Sequence, residues 1–141
     1  PYRLSVASNE VSRLIARAYE DRFGLSVPQW RLICILAEDG PSTPQSIVAR
    51  TATDKVIISR AAQALTARRL IQRTPNAADG RSHHLEFTET GRRLHGEVTP
   101  LALKYEQEVI AGLSEAEVEG LQRLLRRIEQ AAAHLAADSF K

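Results

Sequence analysis

The chain has a single cysteine, Cys34, in 141 residues, no methionine, one tryptophan, and only three phenylalanines and three tyrosines. One thiol permits no internal disulfide, so nothing asks for an oxidising compartment, and the cytoplasm is the expected location. Scarce aromatic residues beside abundant Ala, Leu and Arg disfavour a β-sandwich or barrel and predict a mainly α protein. No apolar run approaches the roughly 20 residues needed to cross a bilayer, so no membrane association is expected. The N-terminus lacks the basic, apolar, small-residue order of a signal peptide, and the missing initiator methionine predicts a piece of chain before Pro1. Also absent are a His-Glu-x-x-His pair, paired cysteines, a Gly-rich phosphate loop and a nucleophile elbow. No catalytic residue, metal site or cofactor is therefore expected, and the enzyme class is set aside. There are no internal repeats and no low-complexity tracts.

What is present is positive charge concentrated in one stretch. The whole chain carries a formal charge of only +2, yet residues 50 to 93 hold nine Arg or Lys against four acids, an excess of +5 that leaves −3 elsewhere. Coulomb attraction and counterion release favour DNA only where cations are concentrated, so this asymmetry points to double-stranded DNA as partner.

The same stretch has a matching pattern of elements. A first amphipathic helix is predicted from about Ser5 to Arg22, with Val11, Leu14, Ile15 and Ala18 at helical spacing. Ser26-Val27-Pro28-Gln29 reads as a capping box with proline in the first turn. Trp30, Ile33, Cys34 and Ala37 then line one face until Asp39-Gly40-Pro41 stops the helix. Thr43 before Pro44 starts a short helix to Arg50 that buries Ile47 and Val48, and Thr51-Ala52-Thr53 is the turn. From Asp54 to Arg68 the wheel places Ile58, Ala61, Ala62 and Leu65 inward and Val56, Ser59, Arg60 and Gln63 outward. The β-biased runs Ile71–Thr74 and Ser82–Phe87 flank a polar loop containing Pro75 and Gly80, which is a hairpin in form. Helix, turn, helix, hairpin makes a winged helix-turn-helix. Thr88 caps a long helix bearing Leu94, Val98, Leu101, Tyr105 and Val109, with Pro100 expected to bend it and Gly112 to end it. A last helix opens on the box Ser114 to Glu117 and carries Val118, Leu121, Leu124, Leu125, Ile128 and Leu135 in a stripe.

A DNA-reading head needs only three helices and a hairpin, so residues 1–25 and 100–141 are read as dimerisation helices around a winged helix-turn-helix region, 26–99, in a single chain. Either these helices fold back on their own core or they pair two copies. A homodimer explains more, because two heads one DNA turn apart, about 34 Å, read a palindrome.

Position along these elements selects the candidate contacts. Arg60 faces outward near the start of the second helix of the motif and can bridge guanine or phosphate with its planar fork. Ser59 and Gln63 share that face. Val56, apolar yet outward, fits a thymine methyl, and Lys55 at the helix edge fits a phosphate. Thr43, Pro44 and Gln45 open the preceding helix, whose free N–H groups suit phosphate. Arg81 at the hairpin tip can enter a narrow minor groove, and Arg73 at its base can touch phosphate. His83 and His84 are adjacent in a strand, point to opposite faces and are read as wing residues rather than a metal pair. A winged helix without DNA, used as a protein-interaction module, is the competing reading. Cations on both helix and wing speak against it.

Five segments in order resemble the MarR family of bacterial transcription regulators: Leu25-Ser26-Val27-Pro28-Gln29-Trp30, Asp54-Lys55-Val56-Ile57-Ile58-Ser59-Arg60, Asp79-Gly80-Arg81-Ser82, Phe87-Thr88-Glu89-Thr90-Gly91-Arg92 and Gly112-Leu113-Ser114-Glu115. The resemblance runs from about Leu25 to Ile128. It implies a homodimer with intertwined terminal helices and two winged heads on a palindrome, acting as a repressor released by a small aromatic ligand or by oxidation. It also implies that Asp79 holds an arginine of the loop by a charged hydrogen bond. The family wing often reads Asp-x-Arg-Arg, whereas Ser82 stands in place of the second arginine here. For a redox switch the one candidate is Cys34, whose apolar helix face is expected to raise its pKa and block access. A ligand pocket is expected where the first, second and long fifth helices meet, with Trp30, Arg31 and His95 as lining residues.

Overall fold

Caps written into the sequence decide where most of the helices begin. The computed structural model describes residues 2–138 and orders them as α1 (Tyr2–Phe23), α2 (Val27–Asp39), α3 (Pro44–Thr51), α4 (Lys55–Ala67), β1 (Ile71–Pro75), β2 (His83–Phe87), α5 (Glu89–Ile110) and α6 (Glu115–Asp138). Ser26 caps α2 through the expected box: its hydroxyl accepts the Gln29 N–H at 3.4 Å, and Gln29 Oε1 accepts the Ser26 N–H at 3.0 Å. Thr43 Oγ1 accepts the Ser46 N–H to open α3, and Asp54 Oδ1 accepts the Val56 N–H at 2.7 Å to open α4. The last box holds as well, with Ser114 and Glu117 exchanging backbone-to-side-chain bonds at the start of α6. Such caps satisfy first-turn donors that no intrahelical carbonyl can reach.

Two compact units part between Glu106 and Gln107. In the first, one hydrophobic core takes Tyr19 from α1, Leu32 and Ile33 from α2, Ile47 from α3, Ile58 and Leu65 from α4, Ile71 and Leu85 from the hairpin and Val98 from α5. The inward face expected for α4, Ile58, Ala61, Ala62 and Leu65, is buried throughout. On α2 the buried arc is wider than expected and includes Leu32, Ile35 and Leu36, while Ala37 is exposed. α1 begins earlier than the pattern predicts and behaves as two halves: Ala16, Ala18 and Tyr19 join the core, whereas residues 2–10 are exposed, Tyr2 to 81%.

The corner between α4 and β1 ties three helices together. Arg69 adopts φ 57° just past the helix, and the Leu70 N–H donates to Leu65 O while the Arg69 N–H donates to Thr66 O, the paired bonds that close a helix on a left-handed residue. The next carbonyls serve α5. Thr88 Oγ1 donates to Arg69 O at 2.6 Å and accepts the Gly91 N–H at 3.1 Å, so the capping hydroxyl of α5 also ties that helix to the corner. Arg68 donates to Phe23 O at 2.7 Å and Gly24 O at 3.0 Å, pinning the end of α1 to the end of α4.

β1 and β2 pair antiparallel, Ile71 with Phe87 through Pro75 with His83. A third short edge lies outside the expected hairpin: Ser42 exchanges backbone bonds with Leu85 at 3.0 and 2.8 Å, which fastens the hairpin base to the chain leading into α3. In the second unit α6 buries no residue, and Leu121, Leu124 and Ile128 are about half exposed along one stripe. No helix among the described residues is long and apolar enough to cross a membrane.

Candidate nucleic-acid interface

Fastening the hairpin beside α3 and α4 creates a cleft of about 830 Å³. Its walls are the start of α3 (Thr43, Pro44, Gln45), one stripe of α4 (Lys55, Ser59) and the wing (Arg73, Asp79, Arg81, Ser82, His83). Eight of the eleven expected DNA-contact residues are thus gathered at one opening from segments up to 38 positions apart in sequence. The other three, Val56, Arg60 and Gln63, form the neighbouring stripe of α4, all exposed, Val56 to 55%. Successive helix positions turn by about 100°, so this stripe borders the cleft wall formed by Lys55 and Ser59. Ile57 is exposed beside it, an apolar position that the wheel did not single out.

The N–H supply at the start of α3 is narrower than expected. Pro44 has no N–H and the Ser46 N–H is taken by Thr43 Oγ1, which leaves Gln45 as the first-turn donor.

The loop Asn76–Ser82 is folded on itself. Asn76 Oδ1 accepts the Ala78 N–H at 3.0 Å, the Asp79 N–H donates to Asn76 O, and the Ser82 N–H donates to Asp79 O at 3.0 Å. Ser82, which departs from the family pattern, closes the ring: its Oγ accepts from Asn76 Nδ2 at 2.7 Å and donates to Asp79 O at 3.2 Å. Asp79 differs from the expectation too. Its Oδ1 accepts the backbone N–H of Arg81 at 3.0 Å, so the carboxylate shapes the chain at the tip and does not grip a guanidinium. A short Asp side chain reaches a backbone donor two residues on more readily than a flexible guanidinium.

Charge in the basic stretch divides by role. Arg68 is committed to carbonyls of α1, and Arg50 pairs with Glu38 Oε2 at 3.0 Å and Asp39 Oδ2 at 3.5 Å. Lys55, Arg73 and Arg81 face the cleft. His83 and His84 fall on opposite faces of β2, His83 toward the cleft with Nε2 buried and without a hydrogen-bond partner.

A second cavity, about 460 Å³, lies where α1, α2 and α5 meet. Trp30 and His95 line it, stacked at 5.9 Å between ring centroids; Tyr19 stacks on Trp30, and Phe87 meets His95 at a tilt of 41°. Arg31 is not among the lining residues: it is turned one helical step away, and its guanidinium donates to Ser12 Oγ at 3.4 Å. The lining residues that the sequence did not suggest include Cys34, Glu38, Thr99 and Glu106. Burial holds His95 below the ordinary histidine pKa, so its ring is neutral at pH 7. Burial, with a smaller push from Glu38, raises the Cys34 thiol to about 11. Cys34 is only half-buried, however, because it opens onto this cavity.

Known proteins share this arrangement. A family model described as the MarR family matches residues 23–82, from the end of α1 to the end of the wing loop. The HTH-type transcriptional repressor NicR of Pseudomonas putida is 27% identical over 131 residues, covering 86% of this chain and 83% of that protein. The structure of BpsR from Bordetella bronchiseptica, whose DNA binding is regulated by 6-hydroxynicotinic acid, superposes with a TM-score of 0.81 at 26% identity, covering 91% of this chain and 96% of that one. A mutant MarR from E. coli in complex with operator DNA has the same fold, with a TM-score of 0.80 at 20% identity over 90% of this chain and 91% of the other. The capped helix pair and the fastened wing are thus the part of the chain, residues 23–82, that matches the MarR family.

Proposed function

We propose that the chain is a sequence-specific, double-stranded-DNA-binding transcription regulator, acting in the cytoplasm as a homodimeric repressor on palindromic operators and released by a small aromatic ligand. One observation carries this reading: Lys55 and Ser59 of α4 face Arg73 and Arg81 of the wing across a single opening, with Arg60 on the adjoining stripe. Cations on a groove-sized helix and on a finger beside it suit major-groove and minor-groove contacts together. In this reading Arg60 and Gln63 meet base edges, Val56 packs on a thymine methyl, and Gln45, Lys55 and Arg73 meet phosphate. Asp79 sets the course of the loop that carries Arg81.

Repression is the activity named for NicR and also for IacR of Pseudomonas putida, 28% identical over 104 residues. Dimerisation is supported by apolar surface that the described residues leave open, on α6 at Leu121, Leu124 and Ile128 and on the first turns of α1 at Tyr2 and Leu4. Ligand release is supported by the cavity walled by Trp30 and His95.

Binding sites selected from a random duplex pool, followed by footprinting, test the reading. Two protected half-sites about one helical turn apart are expected, with affinity falling steeply between about 50 and 200 mM salt. A flat salt response and no selected sequence would favour a protein-interaction module.

A further inference from the structure

Among the described residues, the charged side chains lining the cavity between α1, α2 and α5 are acidic. Glu38 and Glu106 stand on its walls, and no Arg or Lys does. Its histidine adds no cation, because burial keeps the ring neutral at pH 7. Thr99 Oγ1 spends its single proton on His95 O at 2.7 Å and lies 3.1 Å from His95 Nε2, so it accepts the Nε2–H and leaves Nδ1 as an acceptor. The polar groups offered by Glu38, Glu106 and the His95 ring are therefore acceptors. A ligand carboxylate would meet carboxylates there, that of Glu38 shared with Arg50, whereas an N–H donor would meet its complement.

Glu38 also has a second role. From the end of α2 it takes Arg50 Nη2 at 3.0 Å, and Arg50 sits in the last turn of α3, the first helix of the DNA-reading pair. One carboxylate thus belongs both to the cavity wall and to an ion pair that links the end of α2 to the end of α3.

We propose that this cavity takes a flat aromatic ligand bearing an amidine, ammonium or other N–H donor group rather than a carboxylate, and that such a ligand draws Glu38 away from Arg50, loosening α3 and weakening DNA binding. The inference rests on the regulator reading above and departs from the aromatic acid that regulates BpsR. Stacking on Trp30 and His95 supplies the affinity common to any flat ring, and the acidic wall supplies the choice of charge. Coupling is reciprocal: whatever weakens the Glu38–Arg50 pair makes the ligand bind more tightly.

Benzamidine and benzoate are the matched probes, alike in shape and opposite in charge. Calorimetry on the intact protein is expected to show benzamidine binding at least about ten-fold more tightly than benzoate, with Glu38→Gln removing most of that preference. In DNA titrations against a selected duplex, benzamidine should weaken wild-type binding by about five-fold or more. Arg50→Ala should bind benzamidine at least as well as wild type, yet its DNA affinity should no longer respond to it. Glu38→Gln, which keeps the shape of the side chain, serves the same test if Arg50→Ala does not fold. Equal or tighter binding of benzoate, no benzamidine binding, or an undiminished DNA response in Arg50→Ala and Glu38→Gln would overturn the proposal. A benzoate site lost in Arg92→Ala would instead place the ligand in the neighbouring cleft of about 340 Å³, which holds Arg92. Ligand-free DNA binding, measured in the same titrations, separates failure of this inference from failure of the regulator reading.

Discussion

Gly91 on α5 lies so close to Leu70 at the α4–β1 corner that a Cβ added to the glycine would stand 1.9 Å from the Leu70 carbonyl oxygen. That oxygen is the same one that accepts the Thr88 N–H, so the approach is fixed by the cap of α5 as well as by packing. The glycine is needed for room, since no side chain fits between helix and corner. Gly91→Ala is expected to lower stability by about 1–3 kcal/mol, as for other overpacked sites, with a matching fall in the urea midpoint. Because the corner also starts the wing, DNA affinity should fall with it. An unchanged midpoint would mean that α5 does not dock as described.

Arg68 and Arg81 should separate cleanly on mutation. Arg68 bonds two carbonyls at the end of α1, so Arg68→Ala is expected to cost about 1 kcal/mol of stability, read as a lower Tm. Arg81 lines the cleft, and Arg81→Ala should leave the Tm where it is. Equal Tm losses in the two variants would contradict the division of roles.

Cys34 is expected to alkylate slowly at pH 7 to 8, because its thiol is raised to about 11. A raised pKa stabilises the protonated folded form below the ordinary thiol value, and that contribution is lost as pH rises through the folded one. Iodoacetamide labelling followed by mass spectrometry should therefore accelerate toward pH 11 and, near neutrality, lag a model thiol. Cys34→Ser should bind DNA as wild type does. Fast labelling at neutral pH, together with loss of DNA binding on oxidation, would restore a redox switch.

Leu124 and Ile128 lie on the open stripe of α6, each about half exposed. Charges there do not disturb a buried core within the second unit, yet they would be costly inside an apolar dimer interface. Leu124→Asp with Ile128→Asp is expected to shift the molar mass measured by light scattering from two chains to one. A mass that stays at two chains would place the interface elsewhere.

Local signals were legible where the interaction they encode is local. Ser26 with Gln29, Thr43 before Pro44 and Ser114 with Glu117 each announce a helix start within four residues, and each bond is present. The inward face of α4 is equally local, a matter of spacing alone. Tertiary partners were not legible. Nothing near Ser42 announces its pairing with Leu85, 43 positions later, although that bridge sets the wing beside α3. Counting charge treats Arg50 and Arg68 as free cations, because a sum over sequence cannot show that Glu38 and two carbonyls of α1 already hold them. Arg31 is expected in the cavity together with Trp30, yet one residue along a helix is about 100° around it. Glu38 and Glu106 read as solvated helix surface until three helices are brought together around them.

Salt titration of DNA binding tests the central claim most directly, since that claim is that α4 and the wing grip one duplex. With a selected duplex, wild-type log Kd should rise steeply with log salt. Arg60→Ala and Arg81→Ala should each bind about 1–3 kcal/mol more weakly, and loss of a phosphate contact should reduce the slope by about one. Wild-type affinity and an unaltered slope in both variants would contradict it.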